Sequence, residues 1–276
     1  MSSQLDLGAS VRTMLAVDNL PVAALQTGES TAPPVLLVPG YTGSKEDFGP
    51  LLDPLAAAGF WVTAIDLPGQ FESPGPVEAA RYSVTELATT VLALAHHLGP
   101  RVRLLGHSFG GLVSRAAVCA EPEAFASLVL VGSGPAALQG PRRTMIERLE
   151  PVLASQGMSA VYAATQALAA AQPGYRAPSP ELAAFLHRRF LAGSPAMLRG
   201  MGAALRAEPD RVDELAATGV PILVLYGAAD DAWSPDVQAT MASRLHARVA
   251  VIPDAMHSPA IDNPAATIAA LLQFWA

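Results

Sequence analysis

Six short apolar runs alternate with segments of helical period along this chain, at residues 35–38, 60–65, 102–105, 128–131, 220–225 and 247–252. Runs of this length that stay apolar at consecutive positions belong to strands buried on both faces. Separated by helices, they form βαβ units. The pattern predicts an α/β fold, a mainly parallel, doubly wound sheet with helices on both faces. At 276 residues, with 51% hydrophobic and 15% charged, the chain has ample apolar surface for such a core.

The helical segments carry their own signals. Ser83-Val84-Thr85-Glu86 has the spacing of a capping box. Leu87, Val91, Leu94 and Leu98 repeat near the helical period, and Gly99-Pro100 ends the run. His96 and His97 fall in that last turn, a solvated place favoured by the helix dipole. Phe48, Leu51, Leu52 and Leu55 make a similar stripe. Residues 135–218 break the alternation. They hold no strand pattern, only helical stretches punctuated by Gln172-Pro173-Gly174 and Gly193-Ser194-Pro195. Ser179-Pro180-Glu181 starts one helix, with Leu182, Phe185, Leu186 and Phe190 on one face. The expected organisation is a core of 1–134 and 219–276 with a helical insertion, 135–218, over the sheet.

Several function classes are disfavoured. A net charge of −7 opposes nucleic-acid binding, which needs clustered Lys and Arg. No uninterrupted apolar stretch reaches the ~18–20 residues of a membrane span. The first ten residues lack a basic start and an apolar run, which reads as no signal peptide and a cytoplasmic setting. Cys119 is the only cysteine, so neither an intramolecular disulfide nor a thiolate metal site is expected; its apolar neighbours suggest a buried, inert thiol. No H-x-x-x-H pair, phosphate-cradling loop or dinucleotide fingerprint is present, so no metal and no cofactor are expected. Lys45, the single lysine, suggests no function.

The segment Leu104-Leu105-Gly106-His107-Ser108-Phe109-Gly110-Gly111 could do chemistry. An apolar strand runs into G-x-S-x-G and then into a helix, a turn that thrusts the serine hydroxyl above the sheet. A serine needs a base oriented by a carboxylate. His257 follows the last strand, at the sheet edge where α/β folds bind ligands. His246, read as helical between Arg244 and Arg248, and His187, beside Arg188 and Arg189, fit solvated positions better, and His107 is fixed by the elbow. The acid falls to Asp230 or Asp231, after the strand at 220–225; Asp230 is preferred, with Asp231 as a turn cap. The order Ser, Asp, His fits this topology.

Over nearly its whole length the chain resembles the α/β-hydrolase superfamily. Pro39-Gly40-Tyr41-Thr42-Gly43, Asp66-Leu67-Pro68-Gly69, the elbow from Gly106 to Gly110 and the late Gly227, Asp230, His257 set carry the likeness. The resemblance implies an oxyanion hole, here the backbone N–H groups of Tyr41 and Phe109. Members usually have His-Gly in place of Pro39-Gly40, and often H-G-x-S in place of Gln70-Phe71-Glu72-Ser73. It also implies a small-molecule ester or thioester substrate cleaved through Ser108; serine as nucleophile argues against dehalogenase or epoxide hydrolase chemistry. Perhydrolysis, carbon–carbon bond hydrolysis or a non-catalytic binding role on the same scaffold are the alternatives. Trp233, Met197 and Met201 are expected to line an apolar acyl pocket, with the insertion as its lid. Nothing in the sequence fixes the oligomeric state.

Overall fold

The computed structural model describes residues 4–17, 20–172 and 174–276. The first three residues, part of the N-terminal reading above, and Pro173 lie outside the described residues. Eight strands form one sheet: β1 (Val11–Val17), β2 (Leu20–Thr27), β3 (Pro34–Val38), β4 (Trp61–Ile65), β5 (Val102–His107), β6 (Phe125–Val131), β7 (Ile222–Gly227) and β8 (Arg248–Ile252). Their order is β1-β2-β4-β3-β5-β6-β7-β8. β3 to β8 run parallel, whereas β1 and β2 are antiparallel to their neighbours. These two strands were not read from the sequence. β1 is the edge strand and largely exposed, so the continuous apolar signal of a buried strand is missing from it; β2 lies inside it, paired with β4 and buried at Val22–Leu25.

Alternation along the inner strands divides the core into two layers. Leu36 and Val38 of β3, Leu104 of β5, Leu128 and Leu130 of β6 and Val224 of β7 face one layer. Val35, Leu37, Leu105, Val129, Leu223 and Leu225 face the other. Helices α2 (Val84–Leu98), α3 (Phe109–Ala120) and α8 (Pro235–Arg244) contribute to the first layer. Helices α1 (Gly49–Ala57) and α10 (Pro264–Trp275) contribute to the second, and the short α9 (Pro259–Asp262) leads into α10. Ser83 caps α2, accepting the N–H of Glu86 as the spacing predicts, and Gly99 ends it. None of the helices is long and apolar enough to cross a membrane, among the described residues.

Among the described residues the regular elements between β6 and β7 are all helices: α4 (Gly140–Ala170), broken at Gly157, then α5 (Pro180–Ala192), α6 (Pro195–Ala207) and α7 (Val212–Ala216). Ser179 caps α5 with Pro180 in its first turn, as read from the sequence. The two ends of this insertion meet. Ala137 N–H donates to Glu208 O at 2.8 Å, and Leu138 N–H to Leu205 O at 2.8 Å. Arg115, 1% exposed on α3, joins both ends to the core: it pairs with Glu208 at 2.8 Å and donates to the Pro135 carbonyl.

Three details differ from the sequence reading. Cys119 is half-buried rather than buried, and burial pushes its thiol up to about 11. His246 lies beyond the end of α8, at φ 52°, and Arg248 opens β8, so the helix stops before both. Lys45 is a structural element: its ammonium is fully buried among Asp66 (2.8 Å), Glu72 (2.7 Å) and Glu46 (3.2 Å), and Arg12 meets Glu46 and Glu72 from outside. Burial opposes that ammonium, but the carboxylates around it outweigh burial and hold it protonated. Removing one partner of a buried ion pair strands the other. Lys45→Met is therefore expected to destabilise the protein by ~3–5 kcal/mol, measured by urea unfolding, because Asp66 and Glu46 lose their buried counter-charge.

Candidate active site

The strand order reverses about β3: β4 pairs on one side of it and β5 on the other. In open α/β sheets the crevice beyond the strand ends at such a point receives the ligand. Two turns meet there. After β5 the chain turns at Ser108, held at φ 54° and ψ −118°, and enters α3 directly. The turn leaves no room for side chains on its flanks. A Cβ at Gly106 would lie 2.4 Å from Gly110 O, and one at Gly110 would lie 2.4 Å from Val38 O. Ser108 N–H donates to Val131 O (2.8 Å) and its carbonyl accepts from Ser133 Oγ (2.9 Å), which fixes the elbow against β6.

The second turn follows β3. Gly40 comes so near the elbow that a Cβ on it would be 3.2 Å from the Ser108 Cβ. Gln70 Nε2 donates to the carbonyls of Gly40 (2.7 Å) and Tyr41 (3.2 Å), while its Oε1 accepts the N–H of Leu67. Gln70 stands where the resemblance leads one to expect histidine, and it secures this loop. The N–H groups of Tyr41 and Phe109 meet no protein acceptor among the described residues. Phe109 N–H is also the first of helix α3, at the positive end of its dipole.

The remaining side chains arrive from the ends of β7 and β8. Ser108 Oγ–H donates to His257 Nε2 at 2.9 Å, and His257 Nδ1–H donates to Asp230 Oδ1 at 3.0 Å. Asp230 is buried and further accepts the Ala232 N–H (2.9 Å) and Gln238 Nε2 (2.9 Å). Gln238 takes Oδ2 and the Ala232 N–H shares Oδ1 with the imidazole, so the carboxylate is held at both oxygens. Asp231 points elsewhere: it is exposed and makes a two-bond pair with Arg142 of α4, at 2.6 and 3.1 Å. That pair outweighs partial burial and favours its ionised form. A hydroxyl, an imidazole and a carboxylate in line are what an activated serine requires.

His107 was read as a mere turn residue, yet it supports this chain. Its Nε2–H donates to the His257 carbonyl at 2.8 Å, and the two rings lie 5.0 Å apart. Burial, with His257 beside it, pushes the His107 imidazole down to about 4. His187 is exposed, its ring edge-on to Tyr162, and His96 pairs with Glu121 at 2.7 Å.

The residues expected to line an acyl pocket separate in the structure. Met197 lines a narrow cavity beside Thr42, Gly43, Gln70, Phe71 and Leu198 that has room for about one water. Met201 is fully buried in the main core and offers no free surface. Trp233 is also buried, its Nε1–H donating to Ala136 O at 3.2 Å, so it ties the chain after β7 to the chain after β6. Met158 and Phe190 line the same cavity as Met197.

The family model described as "Alpha/beta hydrolase family" matches residues 35–271. The chain belongs to the alpha/beta hydrolase family. Within this family, the pimeloyl-[acyl-carrier protein] methyl ester esterase of Edwardsiella ictaluri is 30% identical, covering 80% of this chain and 85% of its own. The 2-succinyl-6-hydroxy-2,4-cyclohexadiene-1-carboxylate synthase of an Enterobacter species is 28% identical over 76% of this chain and 79% of its own. Among solved alpha/beta hydrolase relatives, a hydrolase from Pseudomonas aeruginosa superposes with a TM-score of 0.79 at 25% identity, covering 98% of this chain and 100% of the other.

Protonating His107 in the folded state is costly, since its folded pKa lies below the unfolded value. Its contribution to stability is complete above the unfolded value near 6.5 and is lost as pH falls toward about 4. His107→Gln is expected to flatten the fall in urea midpoint between pH 7 and pH 4.5, removing up to ~3 kcal/mol of pH dependence. A wild-type slope left unchanged in the variant would assign the acid sensitivity to other groups.

Proposed function

We propose that this protein is a serine hydrolase that cleaves carboxylic esters or thioesters through an acyl-enzyme on Ser108. The observation that carries this reading is the unbroken run from Ser108 Oγ through His257 to buried Asp230, with contacts of 2.9 and 3.0 Å. Ser108 Oγ attacks the acyl carbon as His257 Nε2 takes its proton. The carbonyl oxygen becomes an oxyanion beside the Tyr41 and Phe109 N–H groups. His257 returns the proton to the departing alcohol or thiol, leaving the acyl group on Ser108. A water then attacks the acyl carbon, giving its proton to His257. Collapse frees the carboxylic acid and restores the serine. Asp230 stays ionised and holds the Nδ1–H tautomer throughout.

In this reading residues 135–218 form a cap over the site. Ser194 N–H donates to Gly69 O at 2.8 Å, and Met197 rests on Gly69, so α6 lies over the chain leaving β4. The space beneath Met197 is close to the size of one water, so an acyl chain enters only as the cap gives way. Phe71, Met158, Phe190, Met197 and Leu198 in the lining support an apolar acyl group, with Thr42, Gln70 and Arg189 as its polar members. The relative named a synthase supports a second reading, in which the same residues serve a reaction other than ester hydrolysis. Turnover of simple esters separates the two.

Ser108→Ala should abolish hydrolysis of p-nitrophenyl esters and labelling by a fluorophosphonate, with the thermal midpoint preserved. Asp230→Asn should cost ~10⁴-fold in kcat and Asp231→Asn less than ~3-fold; the reverse order would transfer the acid to Asp231.

Met197→Ala should extend the preferred acyl length. Met201→Ala, deep in the core, should instead cost ~2–5 kcal/mol of stability and leave the length profile alone. An unchanged profile in Met197→Ala would remove this cavity from the acyl path.

A further inference from the structure

Tyr41 belongs to two parts of the molecule at once. Its backbone is in the loop that Gly40 presses against Ser108. Its side chain is packed with the cap's own apolar cluster of Leu153, Val161 and Leu198. The hydroxyl donates to the carbonyl of Leu198 in α6 at 2.6 Å. Gly202, one turn further along α6, makes this possible: a Cβ there would sit 2.7 Å from the Tyr41 hydroxyl. Burial pushes the phenol well above its ordinary pKa, so it stays protonated and able to donate.

A second tie lies at the far end of the same loop. One carboxylate oxygen of Asp47 accepts the Ser44 N–H at 3.1 Å. The other takes Nη1 of Arg189, from α5 of the cap, at 2.6 Å. Both side chains of this pair are mostly buried, at 13% and 16% exposure, so water screens them weakly. The core holds the start of the loop through Gln70, at Gly40 and Tyr41. The cap holds it at the Tyr41 side chain and again at Asp47.

We propose that the cap assembles the oxyanion loop: Tyr41, through its hydroxyl, and the Asp47–Arg189 pair are positioning groups that couple the seating of α5 and α6 to the aim of the Tyr41 N–H. This rests on the serine-hydrolase reading above. A backbone donor stabilises the oxyanion fully only when it is fixed within ~2.7–3.1 Å of where that charge develops. Losing its support therefore weakens the transition state and leaves ground-state binding nearly intact, an effect on kcat rather than on KM. Acyl groups that let the cap seat fully receive the full stabilisation, and poorly fitting ones turn over slowly even when bound. Chain-length selectivity then resides in kcat as well as in KM.

Two substitutions cut the first tie from opposite sides. Tyr41→Phe keeps the ring and the N–H but deletes the hydroxyl. Gly202→Ala drives the phenol off α6 without altering the loop's sequence. Each should lower kcat on p-nitrophenyl butyrate ~10-fold or more, within the ~10²–10³-fold limit set by losing one oxyanion donor, with KM held within ~2-fold. The inhibition constant of a trifluoromethyl ketone, which mimics the tetrahedral intermediate, should rise by the same factor as kcat/KM falls. Arg189→Met should act in the same direction more weakly, and thermal melts confirm that each variant is folded. Folded variants with wild-type kcat, a loss confined to KM, or a fall in kcat without weaker ketone binding would each overturn the proposal. If the wild type neither hydrolyses esters nor reacts with a fluorophosphonate, the serine-hydrolase reading falls and this inference falls with it. If the wild type does both and the variants match it, the inference alone falls.

Discussion

Two backbone segments approach so closely at the reversal of strand order that neither tolerates a side chain between them. Gly110, in the first turn of α3, rests on the carbonyls of Val38 and Pro39, and Gly40 rests on Ser108. Everything at the site is placed relative to this contact. It brings the Ser108 hydroxyl and the Tyr41 and Phe109 N–H groups into one small volume. The chain ends of β7 and β8 then need only deliver one carboxylate and one imidazole. Packing of the two apolar layers fixes the strands, and hence these loops.

Around that contact lies a shell of buried polar groups whose roles are mechanical. Gln70 secures the loop after β3, Gln238 holds Asp230, His107 supports the His257 backbone, and Lys45 neutralises the carboxylates beneath. Buried polar groups of this sort are costly unless satisfied, and a satisfied network admits few alternative arrangements. The site is stiff in its core half. The half contributed by α5 and α6 meets it through fewer bonds: Tyr41 to Leu198, Arg189 to Asp47 and Ser194 to Gly69.

Much of this was legible in the sequence because it arises from local rules. β3 to β7 are largely buried on both faces and so read as unbroken apolar runs, and β8, though an exposed edge strand, keeps an apolar sequence; α2 and α5 announce themselves by their caps. The elbow is legible since its glycines are set by the geometry of a single turn. β1 was not, because an edge strand with mostly exposed residues lacks the continuous signal, whereas the buried run Val22–Leu25 of β2 was simply not read as a strand. Lys45 was passed over since two of its three carboxylate partners, Asp66 and Glu72, depend on where β4 and the following turn come to rest. The choice of Asp230 over Asp231 rested on a preference only; in the fold, Gln238 and Arg142 each claim one of the two adjacent carboxylates. The side chain of Tyr41 was silent for a simpler reason. Its acceptor is a backbone carbonyl 157 residues away, and backbone carbonyls leave no trace in a sequence. Residue type alone suggests a pocket for Met197, Met201 and Trp233 alike, yet of these three buried side chains only Met197 lines the cavity beside Gln70 and Phe71.

The paired ends of the insertion have a further consequence. Because Ala137 and Leu138 bond to Glu208 and Leu205, and Arg115 gathers both ends onto α3, some seventy residues of helix leave and rejoin the core through one gate. The ends of that excursion are already closed, so its length is almost free of cost to the sheet, rising only slowly with the number of residues enclosed. Helices can be lengthened, shortened or exchanged beyond the gate while the strands below keep their register. The architecture thus separates two inheritances: a sheet whose register is held by its own packing, and a helical excursion whose length and sequence can drift without disturbing it.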